Sequence, residues 1–458
     1  MKNLSRRQFI SRSAGITGAL SLLGCTVFKR QRPNIIFLLT DDQRFDALGC
    51  AGNPIIHTPN MDRLAKDGVR FTKAFVTTPI CAASRASLFT GLYERTHGYT
   101  FTKPPLAEEW TDMAYPALLR KAGYQTGFIG KFGIKVQPGV TDSWFDFFKV
   151  HGHPYFKESA GRPVHGTDII FTDAIHFLEG MDRSRPFCLS ISTNAPHADD
   201  GARQQYFWPA SCNDLYNDLE IPPPVLSDPA FFDNLPEFFK KSMNRRRWYW
   251  RFDNREKYQS MVKGYYRMIS GIDMALGRLL KELDRLGVSD NTVIILASDN
   301  GYFLGERGFA GKWTMHDCSI RIPLILYDPR QKTRMRGAEI DELVLNIDIT
   351  PTLLDLAGVV VPDHYEGRSL LPSITGRSID SRKEVFTEHL WDHPEIPRTE
   401  AIRTERWKYI RYFDHPEYEE LYNLDNDPVE SINLACETKH ADILEAMRSA
   451  LDRVRPQG

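Results

Sequence analysis

Residues 34–42 of the chain read NIIFLLTDD, a short run of mainly large apolar side chains that ends in two acids. An apolar run without polar alternation is typical of a parallel strand that is buried on both faces of a sheet. Asp41 and Asp42 then fall at the carboxyl end of the strand. Ligands of open α/β sheets bind at that edge, so this stretch predicts both the sheet and the place of its site.

Two more apolar runs are followed by polar residues in the same way. Residues 292–297 precede Asp299 and Asn300, and residues 186–193 precede His197. Because parallel strands bring their carboxyl ends to one edge of a sheet, these three polar side chains are predicted to lie beside the first two acids.

Helical patterns lie between the predicted strands. Apolar residues recur at spacings of three and four in residues 60–67, 114–122 and 261–286, and Gly287 is the expected end of the longest helix. This alternation favours an α/β fold, a large and mostly parallel sheet sandwiched by helices. Residues 199–254, rich in Pro, Asn, Asp and aromatic residues, are expected to form an irregular insertion.

The pattern changes near residue 380. Short strands at 385–390 and 401–413, followed by a helix at 440–454, predict a small antiparallel sheet with one helix. We therefore predict a large N-terminal domain at residues 33–379, which carries the site, and a C-terminal subdomain at residues 380–458.

Composition excludes several classes of protein. Lys and Arg number 58 and Asp and Glu number 59, so the chain lacks the basic field that gathers nucleic acid, and no nucleic-acid partner is expected. The seven cysteines include no CxxC pair, which argues against a zinc ribbon and a thioredoxin-like site.

The N-terminus, residues 1–25, resembles an export signal. Residues 5–10 (SRRQFI) form a twin-arginine pattern, and the apolar run at 14–23 is too short for a permanent transmembrane helix. Residues 22–25 (LLGC) resemble a bacterial lipobox that ends in a lipidated Cys25; an ordinary signal cleaved nearby is the alternative. The expected partner is the twin-arginine export machinery, and the expected location is the periplasm or, through Cys25, the membrane surface.

Residues 81–85, CAASR, form the most specific motif of the chain. Alone, it is also compatible with a small buried cysteine that begins a helix. Further segments accompany it in a fixed order: PNIIFLLTDDQ (33–43), GK (130–131), APH (195–197), SDNG (298–301), GKW (311–313) and ELYNLDNDPVESINL (420–434). Together these segments resemble the formylglycine-dependent (type I) sulfatases of the alkaline phosphatase superfamily, over nearly the whole mature chain.

The resemblance implies roles for individual residues. Cys81 would be oxidised by a formylglycine-generating enzyme to formylglycine (3-oxoalanine), whose gem-diol attacks a sulfate ester. Arg85 and Lys131 would hold the diol. His197 and Lys312 would bind the sulfate and protonate or stabilise the leaving oxygen.

A calcium site is predicted at the same place. Asp41, Asp42, Asp299 and Asn300 supply the oxygen ligands that calcium prefers to the His and Cys ligands of zinc. Paired acids at strand ends are otherwise turn formers or helix caps. Residue 81 is the expected fifth ligand, and by the resemblance Asp299 takes the first proton.

The chain departs from the family pattern at one point. Sulfatases commonly read Gly-Lys-Trp-His, whereas here Lys131 is followed by Phe132 and a glycine. Lys135, His151 and His153 are alternative replacements for the missing histidine, and the sequence does not choose among them.

Two further residues are predicted to bind substrate. Arg247 lies within RRRWYWR (245–251), where guanidinium groups and rings suit sulfated sugars. Aromatic residues that pack inward from an insertion helix are the alternative. His316, four residues after Lys312, is the second predicted contact.

The sequence thus predicts a sulfuric ester hydrolase that removes sulfate from a carbohydrate derived from a polysaccharide. An arylsulfatase or a phosphonate or phosphate ester hydrolase of the same superfamily is one alternative. An inactive, lipid-anchored glycan-binding protein is another, although the intact set of site residues argues against it. The sugar, the sulfated position, exo or endo action and the oligomeric state are not encoded in any motif that we recognise.

Overall fold

A large mixed sheet and a small antiparallel sheet organise the protein. The computed structural model describes residues 32–456 except 160, 332–334 and 377–380, so the predicted signal at 1–25 and Cys25 lie outside the described residues. In chain order the strands are β1 (Asn34–Thr40), β2 (Val69–Phe75), β3 (Gln125–Gly130), β4 (Phe147–Val150), β5 (Phe156–Ser159), β6 (Arg162–His165), β7 (Phe187–Ser192), β8 (Thr292–Ser298), β9 (Phe303–Leu304), β10 (Ala310–Gly311), β11 (Leu324–Tyr327), β12 (Ala338–Leu345), β13 (Glu384–His389), β14 (Thr399–Thr404), β15 (Trp407–Tyr412) and β16 (Glu419–Asn423).

The large sheet has the strand order β12-β2-β11-β8-β1-β7-β3-β4, and all of its strands run parallel except β11. β1 lies between β8 and β7, where Thr40 pairs with Ser298 and Leu39 pairs with Ser192. The three predicted strands therefore end together, which confirms that their polar residues meet at one edge.

The α-helices are Pro59–Asp67, Cys81–Thr90, Glu94–His97, Glu108–Thr111, Tyr115–Lys121, Val140–Trp144, Gly166–Gly180, Pro229–Asp233, Glu237–Lys240, Met243–Arg251, Arg255–Leu286, Asp317–Ile320, Ile349–Leu356, Leu371–Thr375 and Ala441–Val454. The longest begins six residues before its predicted start, because the Asn254 side chain accepts a hydrogen bond from the Lys257 N–H at 2.9 Å and caps it. It ends as predicted at Gly287, which has a φ of 68°. Within the described residues, no helix has the length and apolar character needed to cross a bilayer.

Alternate residues of β1 face two hydrophobic clusters. Ile35 and Phe37 belong to one cluster and Ile36 and Leu38 to the other, and all four are buried. The Arg255–Leu286 helix covers the second cluster. Burial on both faces explains why β1 carries no polar alternation.

The small sheet, β13-β14-β15-β16, is antiparallel, and the Ala441–Val454 helix packs on it, as predicted. Ile402 faces this helix, whereas Val385, Ala401 and Ile410 join the first cluster of the large sheet. Because residues 33–458 form one compact unit, the boundary between 379 and 380 stays a prediction.

The predicted insertion contains short helices, of which Met243–Arg251 bears directly on the site. The Asn244 side-chain amide donates hydrogen bonds to the carbonyls of Ala310 and Lys312 at 3.3 and 2.8 Å. The helix is thereby fixed against the segment that carries Lys312.

Candidate active site

Four acidic or amide residues meet at the ends of β1 and β8. Asp41, Asp42, Asp299 and Asn300 are all at most 1% exposed, and the Asp42 N–H donates to Asp299 Oδ1 at 3.1 Å. Successive side chains of a strand point to opposite faces. Asp42 has a φ of 68°, which Asp tolerates better than most residues, and this turn lets both acids face the same lysine, Lys312.

Cys81 is the first residue of a buried helix that enters this group. Arg85 lies one turn further along the same helix, and its Nε donates a hydrogen bond to Asp299 Oδ2 at 2.9 Å. Its Nη1 donates to Ser192 Oγ and to the Lys131 carbonyl, each at 2.6 Å. Ser192 was not among the predicted site residues, although its position at the end of β7 was an available signal. Arg85 thus ties the helix of Cys81 to three strand ends.

Two lysines neutralise the acids. Lys131 forms an ion pair with Asp41, and Lys312 pairs with Asp42 while its Nζ lies 3.9 Å from Asp41 Oδ1. Burial favours the neutral amines, but the neighbouring acids outweigh it and raise the pKa of both lysines. Burial also opposes ionisation of Asp41, yet the charges of Lys131, His197 and Lys312 hold its pKa well below the usual range. Asp41, Lys131 and Lys312 are therefore charged near neutral pH.

Asp299 behaves differently from Asp41. Burial, reinforced by the charge of Asp41, raises the pKa of Asp299 to about 6 against the opposing effect of Arg85. An acid with a pKa near neutral pH is suited to accept and release a proton.

Three buried oxygens of the group have no hydrogen-bond partner within the described part of the chain: Asp41 Oδ1, Asp42 Oδ2 and Asn300 Oδ1. Buried polar atoms are nearly always paired, and unpaired carboxylate oxygens are costly. Carboxylate and amide oxygens are the ligands of a hard cation, so these residues fit calcium. Both Asp299 oxygens, in contrast, already accept hydrogen bonds.

His197 joins the acids. One ligand atom each from Asp41, Asp42 and His197 lies within 4.8 Å of the others, and His197 Nε2 is 3.7 Å from Asp42 Oδ2. Its Nδ1 lies 2.6 Å from the Ala198 carbonyl, which fixes the hydrogen on Nδ1 in the neutral ring. Burial, only partly offset by Asp42 and Asp41, lowers the pKa of His197 to about 4.

The three alternatives for the missing histidine separate clearly. His151 is buried and bonds through Nε2 to Asp173 at 2.6 Å, whereas the side chains of Lys135 and His153 are both exposed. His153 has its ring 6.4 Å from the ring of His197, measured between centroids. The geometry therefore favours His153 as the residue that adjoins the site.

Arg247 lies on a wall beside Lys312. Its guanidinium pairs with Asp200 and stacks 4.6 Å from the centre of the Trp313 ring, and Arg251 pairs with the second oxygen of Asp200. Asp200 was not predicted, since only the fold brings it to the two arginines.

His316 is not brought into the group. It is 2% exposed, and its two ring nitrogens lie 3.0 Å from Thr314 Oγ1 and 2.9 Å from Glu420 Oε2. Because both nitrogens are engaged inside the protein, the geometry assigns His316 a structural position instead of the predicted contact with substrate. Its partner Glu420 lies in β16 and belongs to the quoted segment 420–434, but no local pattern indicated that it would meet His316.

A large α/β sheet that gathers a cysteine, buried acids and lysines at one edge, together with a small C-terminal sheet, defines a hydrolase with the sulfatase fold. Residues 33–359 match the family model described as "Sulfatase", and residues 305–457 match "N-sulphoglucosamine sulphohydrolase, C-terminal". The chain belongs to the sulfatase family and is a sulfatase.

Curated relatives match almost the whole chain. An N-acetylglucosamine-6-O-sulfatase of Bacteroides thetaiotaomicron is 30% identical, over 96% of this chain and 89% of the relative. An ulvan-active sulfatase of Formosa agariphila is also 30% identical, over 91% of this chain and 78% of the relative.

Solved structures share the fold. One, described as a complex with its substrate D-glucosamine-2-N,6-O-disulfate, has a TM-score of 0.79 and 27% identity, with 92% of this chain and 97% of that chain covered. A phosphonate monoester hydrolase of Agrobacterium radiobacter has a TM-score of 0.77 and 23% identity, with 92% and 95% covered, which is a likeness of fold alone.

Proposed function

We propose that this sulfatase removes sulfate from a sulfated carbohydrate and that formylglycine formed from Cys81 is its nucleophile. The observation that carries the proposal is the position of Cys81: its helix is tied by Arg85 to Asp299, and Lys131 and Lys312 lie within electrostatic reach of its side chain. A hydrated aldehyde at residue 81 would supply the attacking oxygen.

We further propose that one calcium ion is held by Asp41, Asp42, Asp299, Asn300 and residue 81. The three unpaired oxygens of this set support the choice of a hard cation. When bound, calcium would supply positive charge that favours the ionised form of the attacking group and offsets the charge of the sulfate.

The remaining roles follow from charge and position. Arg85 and Lys131, both cationic and next to the acids, orient residue 81 and stabilise its ionised form. Lys312, cationic and 3% exposed, binds the sulfate and stabilises charge on the leaving oxygen. His197 lies beside it as the second candidate for that oxygen; because the neutral ring carries its hydrogen on Nδ1, His197 would give a proton only after Nε2 is protonated. Asp299 is the proposed proton acceptor.

The carbohydrate assignment is supported by the relatives and by the wall beside Lys312. The two relatives described above are named for N-acetylglucosamine and for ulvan, and Arg247 with Asp200 offers charged hydrogen-bonding groups next to Trp313. N-acetylglucosamine 6-sulfate is accordingly the first substrate to test, within a panel of defined sulfated sugars.

We also propose that the protein is exported by the twin-arginine machinery, after oxidation of Cys81 by a formylglycine-generating enzyme. Replacing both Arg6 and Arg7 by Lys should keep the protein in the cytoplasm. Cys25→Ala should move it from the membrane fraction to the soluble periplasmic fraction. If the Cys25 variant is distributed like the wild type, the lipid anchor is contradicted. An ordinary signal that is cleaved nearby is then the remaining hypothesis.

The experiment that tests the function combines mass analysis with turnover. The tryptic peptide of residues 74–85 should carry an aldehyde at position 81, and the desalted enzyme should release sulfate from at least one sugar of the panel. Cys81→Ala is the control for contaminating activity. An unmodified thiol without turnover would favour a glycan-binding protein, whereas faster hydrolysis of phosphonate or phosphate esters would favour the rival enzyme class.

A further inference from the structure

Three neighbouring rings form an aromatic surface, which we call the ring platform and define as Phe101, Trp391 and His393. The ring centroids of Phe101 and Trp391 are 5.2 Å apart, and those of Trp391 and His393 are 4.7 Å apart. Phe101 is 47% exposed, and the other two rings are partly exposed. Rings that remain open to water offer a flat apolar face to a ligand.

The platform borders the candidate active site. Trp391 packs against a small cluster of buried residues that includes Ile80 and Trp313. Ile80 directly precedes Cys81, and Trp313 directly follows Lys312. The tryptophan therefore packs against a cluster to which both segments that carry proposed catalytic residues contribute.

Phe101 is also linked to the candidate active site through its own segment. Tyr99, two residues earlier, accepts a hydrogen bond from the Lys135 N–H at 2.9 Å and lies within electrostatic reach of Cys81. Gly133, in the same loop as Lys135, leaves so little room that a Cβ there would lie 2.4 Å from the Arg85 side chain. The segment before Phe101 therefore contacts the loop of residues 133–135, and this loop packs closely against Arg85.

The segment that carries Trp391 and His393 is fixed at both ends. The Glu388 N–H donates to the Thr77 carbonyl at 2.8 Å, and the Met243 N–H donates to the Glu395 carbonyl at 2.9 Å. Glu395 also pairs with Arg246. A surface held in this way is organised before a ligand arrives, which lowers the entropic cost of binding.

We infer that the ring platform binds the sugar unit that is glycosidically linked to the sulfated unit, so that the enzyme recognises at least two rings of its substrate. This inference rests on the proposed carbohydrate function. Cys81 and Lys312 each adjoin a residue of the cluster against which Trp391 packs, so a sugar whose sulfate is held at residue 81 has its next ring within reach of the platform. The C–H face of a pyranose is apolar and matches an aromatic ring, and because Phe101 and Trp391 are uncharged, the second ring need not carry sulfate.

The test compares two substrates that share one sulfated ring. They are N-acetylglucosamine 6-sulfate and a disaccharide in which this ring is linked to an unsulfated sugar. The enzymes are the wild type, Phe101→Ala, Trp391→Ala and the matched control Trp407→Ala, a partly buried tryptophan at the opposite end of the small sheet. Because Phe101 is exposed, Phe101→Ala should fold normally. It therefore still tests the inference if Trp391→Ala folds poorly.

We expect the wild type to prefer the disaccharide. Each platform variant should raise KM for the disaccharide about tenfold, the scale of one lost aromatic contact, and change kcat/KM for the monosaccharide less than twofold. Trp407→Ala should affect both substrates alike. Equal losses on both substrates, or no loss on either, would overturn the inference. If the wild type cleaves nitrophenyl sulfate but neither sugar, the proposed carbohydrate function fails first, and the platform inference fails with it.

Discussion

Arg85 Nε lies 2.9 Å from the carboxylate of Asp299, although 214 residues separate the two in the chain. Arg85 is 1% exposed and also donates to Ser192 and to the Lys131 carbonyl. A lysine keeps the charge but has no planar fork of donors. Arg85→Lys should therefore lower turnover equally on every substrate and lower the free energy of unfolding by about 1–3 kcal/mol.

The matched control for this change is Arg278→Lys, an exposed arginine paired with Asp168 at 2.6 Å. Its stability and activity should change little. Denaturant unfolding and initial rates measure both effects. Wild-type activity in Arg85→Lys would refute the positioning role of the guanidinium.

Cys81→Ala should abolish turnover and leave the fold, because a small side chain that begins a helix contributes little packing, about 1 kcal/mol or less. Cys81→Ser should be equally inactive in a host that oxidises only cysteine. Cys188→Ala, at a buried cysteine of β7, is the control with a similar packing cost and full activity. Comparable turnover by Cys81→Ala, with contamination excluded, would show that residue 81 is not the nucleophile.

Calcium should stabilise the folded protein as well as restore activity after chelation. A ligand at one hundred times its Kd stabilises by about 2.7 kcal/mol, which thermal unfolding detects without any substrate. Asp42→Asn should reduce this shift, because Asp42 Oδ2 is one of the unpaired oxygens. Full occupancy by zinc with activity intact, measured by metal analysis, would be incompatible with the calcium assignment.

The leaving oxygen gives a test that depends on substrate. A sugar alkoxide leaves poorly without a proton, whereas nitrophenolate leaves unaided, so the donor matters more for the sugar. If His197 or Lys312 is the donor, its alanine variant should lose about a hundredfold or more on a sulfated sugar and much less on an aryl sulfate.

His151→Ala is the control for that comparison, since the His151 ring is bonded to Asp173. His153→Ala tests the neighbouring ring. If His197→Ala and Lys312→Ala each lose the same factor on both substrates, their contacts serve sulfate binding or the metal site, and the donor must be sought at His153.

Lys408 permits a prediction about stability alone. It is fully buried and pairs with Asp317 and Glu430. Lys408→Met would leave two carboxylates without their cation and should cost about 3–5 kcal/mol in denaturant unfolding. Arg398→Met, at an exposed pair with Asp414, should cost less than about 1 kcal/mol. A loss below 1 kcal/mol for the buried residue would contradict the assigned role.

Much of this architecture was predictable from local pattern. The apolar runs before Asp41 and Asp299 predicted two strands of the sheet, because an unbroken apolar run is typical of a parallel strand that is buried on both faces. Parallel strands end at the same edge, so the runs also predicted that the acids lie together. The contact between His316 and Glu420 was not predictable, since Glu420 lies 104 residues away in β16 of the small sheet. Contacts between residues that are so far apart in the chain produce no periodic pattern in the sequence.

The partners of Arg247 and Trp391 illustrate the same limit. Asp200 meets Arg247 across 47 residues of the same insertion, and Phe101 meets Trp391 across most of the chain. The spacing of apolar residues predicts where a strand or helix lies and which face is buried. It does not predict the side walls of the site, because these are built from segments that are distant in the sequence.

The packing of the small sheet into the first cluster of the large sheet sets the order of events during synthesis. Val385, Ala401 and Ile410 complete that cluster, so the nascent chain holds an open apolar surface until these strands leave the ribosome. A fragment that stops at residue 379 should aggregate. For a protein whose predicted signal directs export after folding, release to the export machinery therefore has to wait until the strands of the small sheet have been synthesised.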